Sequence, residues 1–506
     1  MSVDISRENK RIVKNATMLY VRMFFTMLVA LYTSRIILQR LGVLDYGIYN
    51  LVSTVVMIFL FLNNMLSEAT QRFIIYEIGG ANKEKVNKYF INSVNLHLII
   101  SIIILLLCET VGIWLFYNKL DIPLDRRDAA MWAYQISILT SIIGILSVPY
   151  NAIIISYERM TAFAYISIIE VLLKLLIAYL ISVVRYDHLI VYATLLCFVQ
   201  IIIRFVYYFY CVKSFEAARY KLSYDKLALK EMISFSSWYV LGYIGLVMNN
   251  QGIKVLLNIF FGPIINAAIG VAEQVQNVLT SLRSNFQIAI NPQITKSYAR
   301  HDYENMQSLI FASTKYSFYI FWIFAFPIFF QVSNILKFWL GNVPMYAADF
   351  VNLLLIVALM NTLSNPLVVS IGAIGCLKKI TLIQSFFSIL VMPISYVLLK
   401  NGFTFVYPLY VYIIILIINY FISLLFLSRK IKLKFRRFVM KSWIPMIFVV
   451  FMSLLLSFVI SYFSWEFWTD ILSRIFLVCV VIFCLGLDAS ERKIISVLVK
   501  QKIQKT

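Results

Sequence analysis

Charge is what this sequence has least of. Asp, Glu, Lys and Arg make up 14% of the 506 residues, against about 25% in a soluble domain, while apolar residues make up 61%. So little polar surface cannot solvate a globule of this size. Lipid must be the main solvent, and a string of soluble domains is excluded. Histidine is nearly absent, with only His97, His188 and His301, and none of the six cysteines stands in a C-x-x-C pair. A metal centre built on His or Cys is therefore excluded, no cofactor is expected, and the thiols read as small buried apolar side chains. No G-x-x-x-x-G-K-[ST] loop occurs, which excludes ATP hydrolysis by this chain. No small-residue cleavage site follows a short apolar core at the N-terminus, so the first apolar run is expected to be retained as a membrane helix.

What is present is a succession of long apolar runs. About 20 apolar residues cross a bilayer as a helix, and fourteen runs qualify: 15–39, 46–70, 89–117, 129–155, 163–184, 189–212, 233–260, 264–290, 306–332, 349–374, 379–399, 405–428, 442–463 and 467–487. The chain thus reads as an all-α polytopic membrane protein with about fourteen transmembrane helices. No connection is long enough to hold a domain. With the N-terminus cytoplasmic, 31 Lys and Arg fall in inner segments, counting Lys315 in the inner half of its run, and 7 in outer loops, as the positive-inside rule requires. Both termini are then cytoplasmic. The net charge of +21 becomes a matter of topology, with no nucleic-acid partner needed. The densest basic run, SRKIKLKFRR from Ser428, stops the chain at the inner leaflet and touches anionic headgroups of membrane lipids.

Two stretches about 220 residues apart look alike. LGVLDYGIYNLV from Leu41 and FGPIINAAIGVA from Phe261 each place a glycine, Gly42 or Gly262, in a tight outward turn before a helix of small residues. The polar connections from Tyr76 and from Tyr298 follow at matching places. Each unit holds six helices, an even number, so the copies would be parallel and related by an axis along the membrane normal. The expected organisation is an N-terminal lobe (1–212, helices 1–6), a C-terminal lobe (213–428, helices 7–12), and a remainder (429–506) holding the basic loop, helices 13–14 and a cytoplasmic tail.

The run RIILQRLGVLDYGIYNL from Arg35 resembles the first-helix signature of the Wzx-type polysaccharide flippases. These are exporters of O-antigen and capsule repeat units in the multidrug/oligosaccharidyl-lipid/polysaccharide (MOP) superfamily, relatives of the MATE transporters. Two features depart from the pattern: Ile269 stands where such repeats often carry an aromatic, and many relatives stop at twelve helices. The resemblance implies a MATE-like fold of two six-helix bundles plus two C-terminal helices in the bacterial inner membrane. It implies a carrier, not an enzyme, that moves an undecaprenyl-diphosphate-linked oligosaccharide to the outer face for polymerisation, alongside the polysaccharide polymerase machinery.

Such a headgroup is anionic and rich in hydroxyls, so its carrier needs a polar, cationic interior. The intramembrane cations are Arg22, Arg35, Lys174, Arg204, Lys254, Arg283 and Arg474, against the acids Glu109, Glu170 and Glu273. Charge at membrane depth is costly and belongs against a cavity or a partner. Helix 8 carries Asn266, Gly270, Glu273, Asn277, Thr280, Ser284, Gln287 and Asn291 at alternating spacings of 4 and 3, which places them on one face. That face either lines water or packs on polar partners. Arg22, Arg204, Lys254, Asn277, Arg283 and Gln287 are the substrate-binding candidates. Glu170 and Glu273 are the candidates for H+ or Na+ coupling. The competing readings for these two are structural: Glu170 with Lys174 as an i,i+4 pair, and Glu273 with Lys254 across the 7–8 hairpin. Tyr207, Tyr208 and Tyr210 read as an interfacial aromatic belt, and the outward loop between the third and fourth helices, with Arg126 and Arg127, as solvated. Two other functions compete. A cation-coupled drug or metabolite antiporter of the same superfamily would favour acids inside. A membrane-embedded glycan polymerase or glycosyltransferase would carry its acids or Arg on large outward loops.

Overall fold

The computed structural model describes residues 2–79, 82–157, 159–221, 223–237, 240–375, 377–462 and 466–493, among which there are helices and no strands. Among the described residues, all fourteen apolar runs fall on helices. Twelve helical stretches are long and apolar enough to cross a membrane by themselves, and the second and eighth runs are the two not counted separately. The reasons are local. The second run is joined to the first across Gly42 in α1 (Ser2–Phe59) and broken from α2 (Phe61–Gly79) at Leu60. The eighth is α11 (Pro263–Ala299), whose polar stripe dilutes its hydropathy.

The chain packs as two compact units. The first holds the chain up to Gly270 together with Pro344–Ala347 and Ser388–Pro408. It contains α1, α2, α3 (Lys83–Leu107), α4 (Ile113–Asn118), α5 (Arg127–Ser156), α6 (Met160–Leu180), α7 (His188–Ser214), α8 (Lys226–Ser237), α9 (Val240–Val247) and α10 (Ile253–Phe261). Gly42 (φ 76°, ψ 169°) and Gly262 (φ 77°, ψ −175°) adopt the same backbone state, one open in practice to glycine alone. The matched turns read in the sequence are therefore matched in geometry. A Cβ on Gly47 would overlap the carbonyl oxygen of Pro263, so this glycine lets α1 and the start of α11 approach backbone to backbone.

The first unit buries polar side chains beside apolar ones and is apolar outside. On α3, Asn92, Ser93, His97 and Ser101 are buried, while Leu98, Ile99, Ile102, Ile103 and Leu106 are exposed. Apolar exposure of this kind suits lipid, where hydrogen bonds and close packing join helices. Within α3 the carbonyl of Ser93 meets His97 Nδ1 at 2.7 Å, and across to α2 the Ser93 and Thr70 hydroxyls meet at 2.8 Å.

The second unit holds Val271–Val343, Ala348–Phe387 and the chain from Leu409 onward. Its helices are most of α11, α12 (Tyr303–Leu340), α13 (Ala347–Ala373), the first part of α14 (Leu377–Lys400), α15 (Tyr407–Lys430), α16 (Phe435–Phe438), α17 (Ile444–Tyr462) and α18 (Phe467–Val481). One apolar cluster joins Ile310, Phe311, Leu367, Leu424 and Phe438. Another joins Phe318, Trp322, Phe326, Val449 and Val478. The end of the described chain is tied to α12: Lys315 Nζ meets Glu491 at 2.7 Å and the Tyr316 hydroxyl donates to the same carboxylate at 2.5 Å. Burial works against the Glu491 carboxylate, but the bonds from Lys315 and Tyr316 outweigh it and hold its pKa below the ordinary value.

Candidate functional site

In the first unit, α1, α5, α6 and α7 bring three of the expected residues together. Phe163, Ser167, Glu170 and Lys174 share one face of α6 by their spacing. Arg22 of α1 lies over the Phe163 ring, 4.6 Å from its centre, with Nη1 3.4 Å from Ser167 Oγ. Glu170 and Lys174 form the i,i+4 pair, 2.6 Å apart. Arg204 of α7 lies 4.2 Å over the ring of Tyr150 on α5. Tyr207, one turn beyond Arg204, lies beside Asn151 and within electrostatic reach of both Glu170 and Arg22.

Tyr207 corrects the sequence reading. It is buried, while Tyr208 is exposed, so it belongs to the interior cluster and not to an aromatic belt. Gln200, Arg204, Tyr207 and Cys211 follow one another at spacings of 4, 3 and 4, which was the signal available.

The loop leading into α5 in the same unit is also built differently from expectation. Arg126 is not solvated but bridges two carboxylates. Its Nε and Nη2 donate to Asp45 at 2.8 and 2.7 Å, and its Nη1 to Asp187 at 2.5 Å. Asp187 also caps α7 by accepting from the Leu189 and Ile190 N–H groups. Burial raises the pKa of the Asp187 carboxyl, but the Arg126 bond and the Ile190 N–H more than offset it, so it stays below the usual range. Lys254 is buried on α10, where its carbonyl accepts from Asn266 at 3.1 Å.

In the second unit the α11 stripe divides. Gln287 is 2% exposed and donates to the Thr362 carbonyl of α13 at 3.1 Å, and Gln276 donates to the Leu354 carbonyl of α13 at 3.1 Å. These amides pack helix on helix. Arg283 is buried and donates from Nη1 to Gln287 Oε1 at 3.0 Å. Asn277 is exposed and Glu273 half-buried.

Arg474 is paired with an acid outside the three expected at membrane depth. Asp470, one turn earlier on α18, accepts from its Nε at 2.8 Å, and both side chains are buried. Ser457 and Ser461 of α17 also accept from Arg474, and Gln331 at the α12 kink donates to Asp470 at 2.7 Å. This is a neutral, fully bonded set.

Three of the other membrane-depth arginines differ. Arg22 Nε, Arg204 Nη1 and Arg283 Nε are buried and have no hydrogen-bond partner in the protein. Among the described residues, no carboxylate pairs with any of the three. An unmet buried donor costs about 1–3 kcal/mol. A unit negative charge about 4 Å from one such guanidinium would gain roughly 4 kcal/mol at an effective dielectric of 20. Chemically, these positions suit an anion.

No family model matches the chain, and no curated protein matches it in sequence. Solved structures do match. A lipid II flippase, MurJ, in an inward closed conformation, superposes with TM-score 0.68 at 14% identity, over 92% of this chain and 97% of that one. An inward-facing multidrug-resistance MATE transporter of the MOP superfamily gives TM-score 0.65 at 13% identity, over 82% and 98%. A MOP superfamily transporter from Pyrococcus furiosus, described as having a binding pocket of reversed polarity, gives 0.60 at 15%, over 83% and 96%. At these identities the likeness is one of fold, and the fold is MATE/MOP-like.

Proposed function

We propose that the chain is a flippase of the bacterial inner membrane. It carries an undecaprenyl-diphosphate-linked oligosaccharide repeat unit from the cytoplasmic to the outer face by alternating access, for surface polysaccharide assembly. Residues 1–212 and 213–428 act as its two lobes, and 429–506 as an addition to them. The resemblance of the Arg35 signature to Wzx-type flippases supports the substrate class. The observation that carries the reading is the set of three arginines, Arg22, Arg204 and Arg283, each with a buried N–H unmet and, among the described residues, no carboxylate paired with it. A carrier of cationic drugs would have no use for them. Arg22 and Arg204 in the first unit, and Arg283 held by Gln287 in the second, are each offered to the anionic headgroup, with Lys254 and Asn277 offered to the sugars. Glu170 and Glu273 couple the cycle to H+ or Na+.

The test replaces Arg22, Arg204 and Arg283 singly by Ala and by Lys and follows arrival of lipid-linked glycan at the outer face. At equal expression each Ala variant delivers about tenfold less or worse, which is the loss of one charge-assisted contact. The Lys variants recover part of it. Unchanged delivery by all three Ala variants removes the arginines from the mechanism, and extrusion of cationic dyes by the wild-type protein favours the antiporter.

A further inference from the structure

The second unit holds an apolar groove that the transport reading does not use. Trp443, Tyr420, Met446, Val450, Met360 and Leu363 line it, and its volume is about 490 Å³, within the roughly 300–1,000 Å³ of ligand sites. Its two polar groups satisfy each other: Trp443 Nε1 donates to the Tyr420 hydroxyl at 3.0 Å. The rim residues Phe421, Ile447 and Phe451 are exposed, so the groove opens along the apolar surface of the unit.

One end of the groove meets the basic connection. The Trp443 ring lies 5.9 Å from both Phe435 and Phe438, and Lys441 stands just before Trp443 in the same helical stretch. The connection is fixed in shape. Buried Gln307 of α12 donates to the Ile431 carbonyl at 3.2 Å and accepts from the Lys434 N–H at 3.2 Å. Lys434 and Arg437 face Glu304 at 2.9 and 3.9 Å. Arg429, Lys430, Lys432, Arg436 and Lys441 are exposed, and among the described residues none of them forms an ion pair.

A groove that accepts hydrocarbon and ends at a held cluster of unneutralised cations is complementary to one molecule of the bilayer. We infer that this unit retains a diacyl anionic phospholipid, with one chain between α13, α15 and α17 and its phosphate against Lys432, Arg436 and Lys441. The aromatic pair at Trp443 sits where chain gives way to headgroup, the position such rings prefer.

The purified full-length protein, delipidated in neutral detergent, is titrated with phosphatidylglycerol and with phosphatidylcholine of the same chains, and bound lipid is counted by native mass spectrometry. The wild-type protein retains one phosphatidylglycerol at a concentration about tenfold or more below that needed for phosphatidylcholine, the preference that one or two cations near a membrane surface supply. A variant carrying Lys432→Gln, Arg436→Gln and Lys441→Gln loses the preference but still binds lipid. Val450→Trp, which fills the groove, weakens retention of both lipids. Equal retention of the two lipids by the wild-type protein overturns the inference, as does an undiminished preference in the Gln variant. Displacement of the phosphatidylglycerol by an equal amount of an uncharged polyprenol also overturns it, by giving the groove to an isoprenoid chain. A second readout needs no variant. Phosphatidylglycerol with brominated chains quenches wild-type tryptophan emission more than brominated phosphatidylcholine at equal mole fraction, and equal quenching is contrary.

Discussion

Arg283 and Arg474 are the same side chain at similar depth, 8% and 3% exposed, and what separates them is their company. Arg474 has Asp470 and two serines, whereas Arg283 has one amide and an unmet N–H. Removing one partner of a buried ion pair strands the other and costs about 3–5 kcal/mol, while replacing both by apolar groups is often neutral. Arg474→Met is therefore expected to lower the melting temperature sharply, and Asp470→Leu with Arg474→Met to restore most of it. Delivery per folded molecule should be unchanged in the double variant. A stable single variant, or a stable double variant that no longer delivers glycan, would show that Arg474 belongs with the three arginines proposed to meet the substrate.

Among the elements, the two glycine turns and α11 say most. A methyl group placed on Gly42 would have nothing within 4 Å, whereas at Gly262 it would meet the Asp121 carboxylate at 3.0 Å. Gly42→Ala thus isolates the backbone cost, about 1–3 kcal/mol, and Gly262→Ala adds the displacement of Asp121. Thermal unfolding in detergent should rank wild type above Gly42→Ala and Gly42→Ala above Gly262→Ala; a Gly42→Ala protein as stable as wild type would mean the turn is not held in this state. The stripe on α11 shows why spacing alone leaves function open. It places Gln276 outside the stripe and Gln287 within it, yet both amides end on α13 carbonyls, because a polar face in lipid is satisfied equally well by water or by a neighbouring backbone.

For the whole molecule, hydropathy and turn chemistry are local, so the helices and the two turns at Gly42 and Gly262 were legible in the sequence. The Glu170–Lys174 pair was legible for the same reason, being one helical turn long. Asp470 with Arg474 is equally local but was hidden because Asp470 falls near the end of an apolar run, where an acid reads as solvated. Arg126 could not have been placed: its carboxylates lie 81 and 61 residues away. Nor could sequence separate the orphaned arginines from the neutralised one, since that depends on four helices meeting around Arg22 and Arg204. The proposed transport of a diphosphate-linked substrate rests on those orphans binding an anionic headgroup, and the direct measurement is affinity. Purified wild-type protein is titrated with a short-chain polyprenyl diphosphate and with the polyprenol of the same chain. Diphosphate should bind more tightly by about tenfold or more, with the preference reduced in Arg22→Ala, Arg204→Ala and Arg283→Ala; equal affinity for the two, or an undiminished preference in all three variants, would contradict it.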